Sequence, residues 1–130
     1  MPRTALVALL ALAVAAVAAT LSTAASTGAI GLRITYRATP TAAPKVFTLT
    51  CNPARGTVPS PATACRKLQA LGRSAFAPTP HDRVCTQIAG PPATAIVTGS
   101  FLGFRVWARL SQRDGCQIAR WNRVSFLLPR

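Results

Sequence analysis

Acidic side chains are nearly absent from this chain of 130 residues, in which Asp82 and Asp114 are the only two and His81 is the only histidine. General acid–base catalysis usually needs a pair of carboxylates, or a histidine that a carboxylate orients. His81 and Asp82 could suggest such a dyad, but adjacent residues in a loop point apart, which favours a solvated loop. The sequence therefore predicts that the protein is not an enzyme and has no catalytic residues.

The chain also lacks an apolar run long enough to cross a bilayer. Its longest run, 5–19, has about 15 residues against the roughly 20 that a spanning helix needs. Arg3 precedes the run and small residues such as Ala24 follow it, which is the order of a secretory signal. We predict a signal peptide at 1–25 and one secreted, extracellular domain at 26–130, without membrane contact after cleavage. A membrane anchor is the alternative interpretation.

Ligands for a metal ion are scarce as well. The four cysteines are spaced too widely for a zinc site, and His81 has no partner at ligand spacing. We therefore expect no metal and no cofactor. An even number of cysteines in an exported chain indicates two disulfides, for which the sequence alone allows three pairings. The cysteines are Cys51, Cys65, Cys85 and Cys116.

Basic side chains, in contrast, are abundant. The chain has 15 lysines and arginines and a net charge of +13, which falls to +12 when Arg3 leaves with the signal. Such a surface attracts polyanions. Arg105, Trp107 and Arg109 fall on one face of a predicted strand and could bind nucleic acid or another anionic polymer, although weakly. Alternatively, a dimer partner or a crossing segment covers that face.

Alternating hydrophobicity predicts several short strands. They lie at 30–37, 46–51, 95–101, 104–111 and 124–128, with turns at 52–59 and a helical turn at 118–122. The strands at 95–101 and 104–111 form a hairpin around Leu102 and Gly103. About five strands and one clear helix indicate an antiparallel α+β domain.

The clear helix begins after Ser60, which suits the N-cap, and has Pro61 at its first position. Gly72 ends it. Helical spacing turns Cys65 inward, toward the end of the preceding strand where Cys51 lies. A disulfide between Cys51 and Cys65 is therefore geometrically reasonable.

Several motifs resemble the Streptomyces subtilisin inhibitor family. Residues 48–53 read TLTCNP, and GTVP at 56–59 and the dipeptide AC at 64–65 follow. The family pattern is similar, TLTC-x-P, G-T-H-P-x-P and A-C, with Val58 here in place of the histidine. Cys85 with Pro91 six residues later resembles the inhibitory loop of the family. The hairpin is similar too, and the resemblance covers about 30–128.

The resemblance implies a five-stranded antiparallel sheet packed with two helices, a homodimer, and the disulfide pairs Cys51–Cys65 and Cys85–Cys116. It also implies an exposed, disulfide-braced loop that binds subtilisin-like serine proteases. The reactive bond would be Gln87–Ile88, with Gln87 as the P1 residue. The other loop residues that would contact the protease are Val84 at P4, Cys85 at P3, Thr86 at P2, and Ala89.

Three positions depart from the pattern of the family. Gln87 stands where Met, Lys or Arg is usual, and Ala89 and Gly90 replace a Tyr-Asp pair. Asp114 aligns with an asparagine that is thought to brace the loop through amide donors, whereas a carboxylate only accepts hydrogen bonds. A neutral P1 amide suits neither the Asp-lined S1 pocket of trypsin-like enzymes nor an apolar one. We therefore expect little effect on trypsin.

The sequence is also compatible with two other functions. One is a secreted basic module that binds polyanions, for which the net charge is the evidence. The other is a degenerate inhibitor fold with a structural role in the cell envelope.

Overall fold

Five antiparallel strands form one sheet. The computed structural model describes residues 29–130, so the signal peptide predicted at 1–25 lies outside the described residues. The strands are β1 Ile30–Arg37, β2 Lys45–Thr50, β3 Arg55–Gly56, β4 Thr94–Phe101 and β5 Phe104–Leu110. Their order across the sheet is β3–β2–β1–β4–β5. With two α-helices and two disulfides, this architecture confirms the predicted α+β fold class.

The two faces of the sheet differ in composition because successive side chains of a strand point to opposite sides. In β1, Leu32 and Ile34 are buried while Arg33 is exposed. Leu49 of β2 pairs with Leu32, and Val97 of β4 pairs with Ile34, so that these apolar side chains share the buried face. On the opposite face Arg33, Thr48 and Trp107 are exposed, and no residue of that face is buried.

The first helix, α1 Pro61–Leu71, covers the buried face with Ala64, Cys65 and Leu68. Ser60 occupies the N-cap position, but within residues 29–130 its side chain accepts no hydrogen bond from the first turn. The predicted N-cap position is therefore confirmed, without a hydrogen bond to the hydroxyl. Pro61 still favours this start, since its missing N–H is one that a first turn leaves unpaired.

Two predicted segments differ from the structure. The strand predicted at 124–128 is wrong, because Ser125–Leu127 is a 3-10 helix. Its buried residues Val124, Leu127 and Leu128 are spaced i, i+3 and i+4, which is helical spacing. The fifth strand is instead β3, inside the segment predicted as turns. The helical turn predicted at 118–122 is longer than expected and forms the second helix, α2 Gly115–Arg123.

Both predicted disulfides are confirmed. Cys51–Cys65 joins the end of β2 to α1 with its Cα atoms 5.8 Å apart, and both residues are buried in the core. Cys85–Cys116 joins the segment before β4 to α2 with its Cα atoms 5.3 Å apart. Within the part of the chain that the structure describes, no helix combines the length and apolar character of a membrane span.

Candidate functional site

The longest irregular segment in the described part of the chain, 77–93, connects the 3-10 helix Gly72–Phe76 to β4. Residues 83–91 belong to no helix, strand or turn, and all of them except Cys85 are exposed. Val84 is 95% exposed and Ile88 is 65% exposed, although both are large apolar side chains. Prolines flank the segment on both sides and fix φ there, which restricts the path of the chain.

Backbone hydrogen bonds hold this segment on both sides of its exposed tip. Gly115 N donates to Thr86 O at 2.9 Å, and Gly90 N donates to Gln112 O at 2.7 Å. The residues between these two anchors are 87–89, so the predicted reactive bond lies at the centre of the span. The Cys85–Cys116 disulfide adds a covalent tie next to the first anchor. We call residues 84–90 the anchored loop.

Close packing at the first anchor depends on a glycine. A Cβ atom on Gly115 would overlap Thr86 Oγ1, so a larger residue here would have to displace the Thr86 side chain or the anchored loop itself. The second anchor leaves more room for a side chain, because a Cβ on Gly90 would lie 3.1 Å from Gln112 Cβ. Ala89 and Gly90, which replace a bulkier pair in the family, therefore leave the second anchor intact.

Asp114 does not brace the anchored loop. Its Oδ1 accepts a hydrogen bond from Gln117 N at 2.9 Å and caps the N-terminus of α2, and its Oδ2 lies 3.7 Å from Arg113 Nε. Side-chain oxygens of aspartate suit this capping position. Support of the loop comes instead from the backbone of Gln112 and Gly115 on either side of Asp114.

Beneath the anchored loop, Arg120 joins α2 to two other segments. Its Nε donates to Ala77 O at 3.1 Å, and its Nη1 donates to Arg109 O at 3.2 Å and to Gln117 Oε1 at 2.9 Å. The pKa of Arg120 is lowered from its usual value by desolvation and, less strongly, by the positive charge of Arg123. Arg120 is thus held by neutral acceptors, and no carboxylate among residues 29–130 pairs with it.

The remaining predicted residues are placed as follows. Gln87 is exposed, and its Nε2 donates to Cys85 O at 3.4 Å, so the side chain folds back along its own loop. His81 and Asp82 are both exposed and form no hydrogen bond with each other in the described part of the chain. An Asp114 carboxylate oxygen lies close to the sulfurs of the Cys85–Cys116 pair, but bonded sulfurs are not thiolate ligands.

Sequence reasoning missed Gln112, Gly115 and Arg120. The first two act through backbone atoms, which no residue type reveals, although Asp114 before a glycine is a signal for a helix start. Arg120 is one of many arginines, and only the fold distinguishes it from the exposed ones.

The sheet, the two disulfides and the anchored loop define a class of small disulfide-bonded α+β domains with one braced, exposed loop. A family model described as subtilisin inhibitor-like matches residues 17–111. The chain therefore belongs to the subtilisin inhibitor-like family. The match includes Cys85 and the anchored loop but ends before Cys116. The disulfide between Cys85 and Cys116 is seen in the structure.

Among solved structures, a similar chain is sermetstatin of Streptomyces caespitosus, crystallised in complex with subtilisin of Bacillus licheniformis. The two chains are 27% identical, with a TM-score of 0.48, and the alignment covers 75% of this chain and 97% of sermetstatin. No curated protein matches the chain.

Proposed function

We propose that this protein is a secreted inhibitor of subtilisin-like serine proteases that binds through the anchored loop, with Gln87–Ile88 as the reactive bond. Membership in the subtilisin inhibitor-like family supports the inhibitory function. The observation that carries the assignment of the bond is its position between two backbone anchors, next to a disulfide. Secretion is supported by the predicted signal and by two disulfides, which persist in oxidising compartments.

The geometry suits inhibition because backbone hydrogen bonds and a disulfide already hold the loop. An extended segment adds to the edge of a protease cleft through backbone hydrogen bonds, as in strand addition. A loop that is ordered before binding loses little further conformational freedom, so more of the interaction energy remains as affinity. The anchors at Thr86 and Gly90 also hold both new ends after cleavage, so that resealing of the bond competes with release.

The side chains of the loop fit this use. Val84 and Ile88 are large apolar side chains left in solvent four residues apart on the same loop, and their burial against a protease would favour binding. Gln87 makes only the long hydrogen bond to its own loop, which it gives up at little cost when it enters an S1 pocket. We infer that Val84 occupies P4 and Gln87 occupies P1, with Cys85 and Thr86 between them and Ala89 after Ile88.

Inhibition is tested by mixing the mature protein with a subtilisin-type protease at equal molarity and measuring the residual activity. The proposal predicts loss of most of the activity toward subtilisin and little effect on trypsin. Unchanged subtilisin activity would leave the degenerate inhibitor fold as the better interpretation.

The Gln87→Lys variant tests which side chain enters the S1 pocket. A cation at P1 pairs with the acid at the base of the trypsin S1 pocket, so affinity for trypsin should rise by roughly a hundredfold or more. Gln69→Lys is the matched control, since Gln69 is an exposed residue of α1 far along the chain from the loop. Equal trypsin inhibition by the two variants would show that position 87 is not P1.

A further inference from the structure

A cavity of about 670 Å³ lies beside the first half of the anchored loop. Its lining residues come from the 3-10 helix Gly72–Phe76, from segment 77–86 and from α2, which the Cys85–Cys116 disulfide ties to that segment. Gln87 and Ile88 do not line it, so the proposed reactive bond does not use this cavity.

Three arginines line this cavity, whereas no acidic residue does. Arg120 and Arg123 lie three residues apart on α2, which places them on the same face of the helix. Arg83 reaches the cavity from the segment that leads into the anchored loop. We call this space the arginine cavity. Its wall concentrates positive charge around a space that is open to solvent.

The charge of the arginine cavity is not neutralised from within the described part of the chain. Desolvation lowers the pKa of Arg120, and the positive charge of Arg123 lowers it further. The carboxylate of Asp114 lies close to the disulfide, but it is engaged by Arg113 and by the backbone of α2. Asp82 forms no ion pair among residues 29–130. The neighbouring cations therefore repel each other, and an anion close to both would relieve that repulsion.

Several guanidinium donors of the arginine cavity have no partner among residues 29–130. A guanidinium group carries five N–H donors in one plane. Arg123 uses Nη1 alone, toward Ser74 O at 2.8 Å, and Arg120 uses Nε and Nη1 but not Nη2. Arg83 is exposed, and its side chain donates to no protein acceptor in the same range. Carbonyl groups thus hold two of the three side chains in place before any ligand binds, which lowers the cost of binding.

The free donors suit a phosphate group. Planar guanidinium groups bind the oxygens of phosphate through paired hydrogen bonds that are stronger than those of neutral donors. Gly115 and Cys116 begin α2 and also line the cavity, and the N-terminal end of a helix carries partial positive charge. The volume leaves room for a phosphate group and for part of a small molecule that carries it, since sites for such molecules measure roughly 300–1,000 Å³.

We propose that the arginine cavity binds a phosphate group, either free or carried by a small molecule, through Arg83, Arg120 and Arg123. Because Cys85 and Thr86 also line the cavity, the bound phosphate joins the base of the anchored loop to α2 next to the disulfide. This site is independent of protease inhibition, and phosphate binding is expected whether or not the anchored loop inhibits a protease.

Direct binding is measured by titration calorimetry of the mature protein with inorganic phosphate, at an ionic strength held constant with sodium chloride. Replacing Arg83 and Arg123 together with glutamine should weaken phosphate binding about tenfold or more, because two charged donors are lost. The matched control, Arg66→Gln with Arg130→Gln, removes the same charge from exposed positions that do not line the cavity, and should keep the affinity. Equal weakening in the two double variants would show that phosphate responds only to net charge, and would overturn the proposal.

A single variant separates loss of binding from loss of folding, since Arg123 also donates to Ser74 O. Arg83→Gln removes no hydrogen bond found among residues 29–130, so it should unfold at the wild-type temperature in chloride. It should nevertheless gain less thermal stability from phosphate than wild type does, because a weaker ligand stabilises the native state less. A gain equal to that of wild type would contradict the proposal.

Glycerol phosphate as a second ligand distinguishes the two sources of the phosphate group. Tighter binding of glycerol phosphate than of inorganic phosphate would assign the site to a phosphorylated molecule, and the reverse order would assign it to the free ion. In both cases the variant that lacks Arg83 and Arg123 should bind more weakly than wild type. Failure of both ligands to bind wild type at about 10 mM would overturn the proposal.

Discussion

At the scale of single residues, one anchor of the anchored loop depends on the lack of a side chain at residue 115. Gly115 has no side chain, and this lets its N–H approach Thr86 O at 2.9 Å. The resemblance to the family made residues 84–89 predictable as the loop, because Cys85 and Pro91 are visible in the sequence. The anchors were not predictable, since they are backbone groups brought together only by the fold.

We predict that Gly115→Ala weakens inhibition of subtilisin about tenfold or more. The new Cβ overlaps Thr86 Oγ1, which removes one hydrogen bond and gives the loop freedom that it must lose again on binding. Inhibition constants measured for the variant check this. Thr86→Ala in the same chain should restore part of the affinity by removing the hydroxyl.

Gly31→Ala is the control for this change. A Cβ there would lie 3.8 Å from Ser100 Oγ, which is an ordinary contact, and the residue lies in β1 away from the loop. Inhibition that weakened as much in Gly31→Ala as in Gly115→Ala would show that the loop anchor is not the cause.

At the scale of secondary structure elements, α2 supports the loop from below and is itself held by arginines. Arg120 donates to Ala77 O and Arg109 O, and Arg123 Nη1 donates to Ser74 O at 2.8 Å. Helix α2 buries none of its own side chains fully. These charged hydrogen bonds to backbone carbonyls help to fix its position, together with the Cys85–Cys116 disulfide and the packing of Trp121 against the core.

Removing the Arg120 contacts should loosen α2. We predict that Arg120→Met lowers the free energy of unfolding by about 1–3 kcal/mol, because two carbonyls lose a charged donor. Arg66→Met is the matched control, since Arg66 is exposed on α1 and, among residues 29–130, donates only to Thr63 Oγ1. Denaturant unfolding of both variants measures the difference, and equal losses would show that the Arg120 hydrogen bonds do not stabilise the fold.

How far the elements were predictable depends on their length. β1 was predictable because Leu32, Ile34 and Tyr36 alternate with polar residues, and β5 because its arginines alternate with apolar residues. The turn at Leu102 and Gly103 then indicated β4 as the partner of β5 in a hairpin. β3 has two residues, Arg55–Gly56, and so offers no alternation to detect. Its pairing with β2 brings Gly56, at φ 137°, so close to that strand that a Cβ there would overlap Thr48 O.

At the scale of the whole molecule, the two disulfides serve different regions. Cys51–Cys65 lies in the core between β2 and α1, whereas Cys85–Cys116 lies beside the anchored loop. Their sequence separations are 14 and 31 residues. On a chain-entropy estimate each bond stabilises the fold by roughly 3–4 kcal/mol.

The two bonds should therefore differ in their effect on inhibition. We predict that replacing Cys85 and Cys116 with alanine turns the protein from an inhibitor into a substrate that subtilisin cleaves with turnover, because one side of the loop is released. Replacing Cys51 and Cys65 should lower the unfolding free energy by a similar amount yet leave inhibition intact at temperatures where the variant is folded. Thermal unfolding and inhibition assays on both variants separate the two effects. Equal loss of inhibition would mean that the second disulfide acts only through global stability.

The identity of the bond that the protease attacks tests the account most directly. The mature protein is incubated with a limiting amount of subtilisin, and the new N-termini are sequenced. The account predicts slow cleavage to a single new terminus at Ile88, with both fragments held together by the Cys85–Cys116 disulfide until reduction. Rapid cleavage at any other bond, with no new terminus at Ile88, would contradict it.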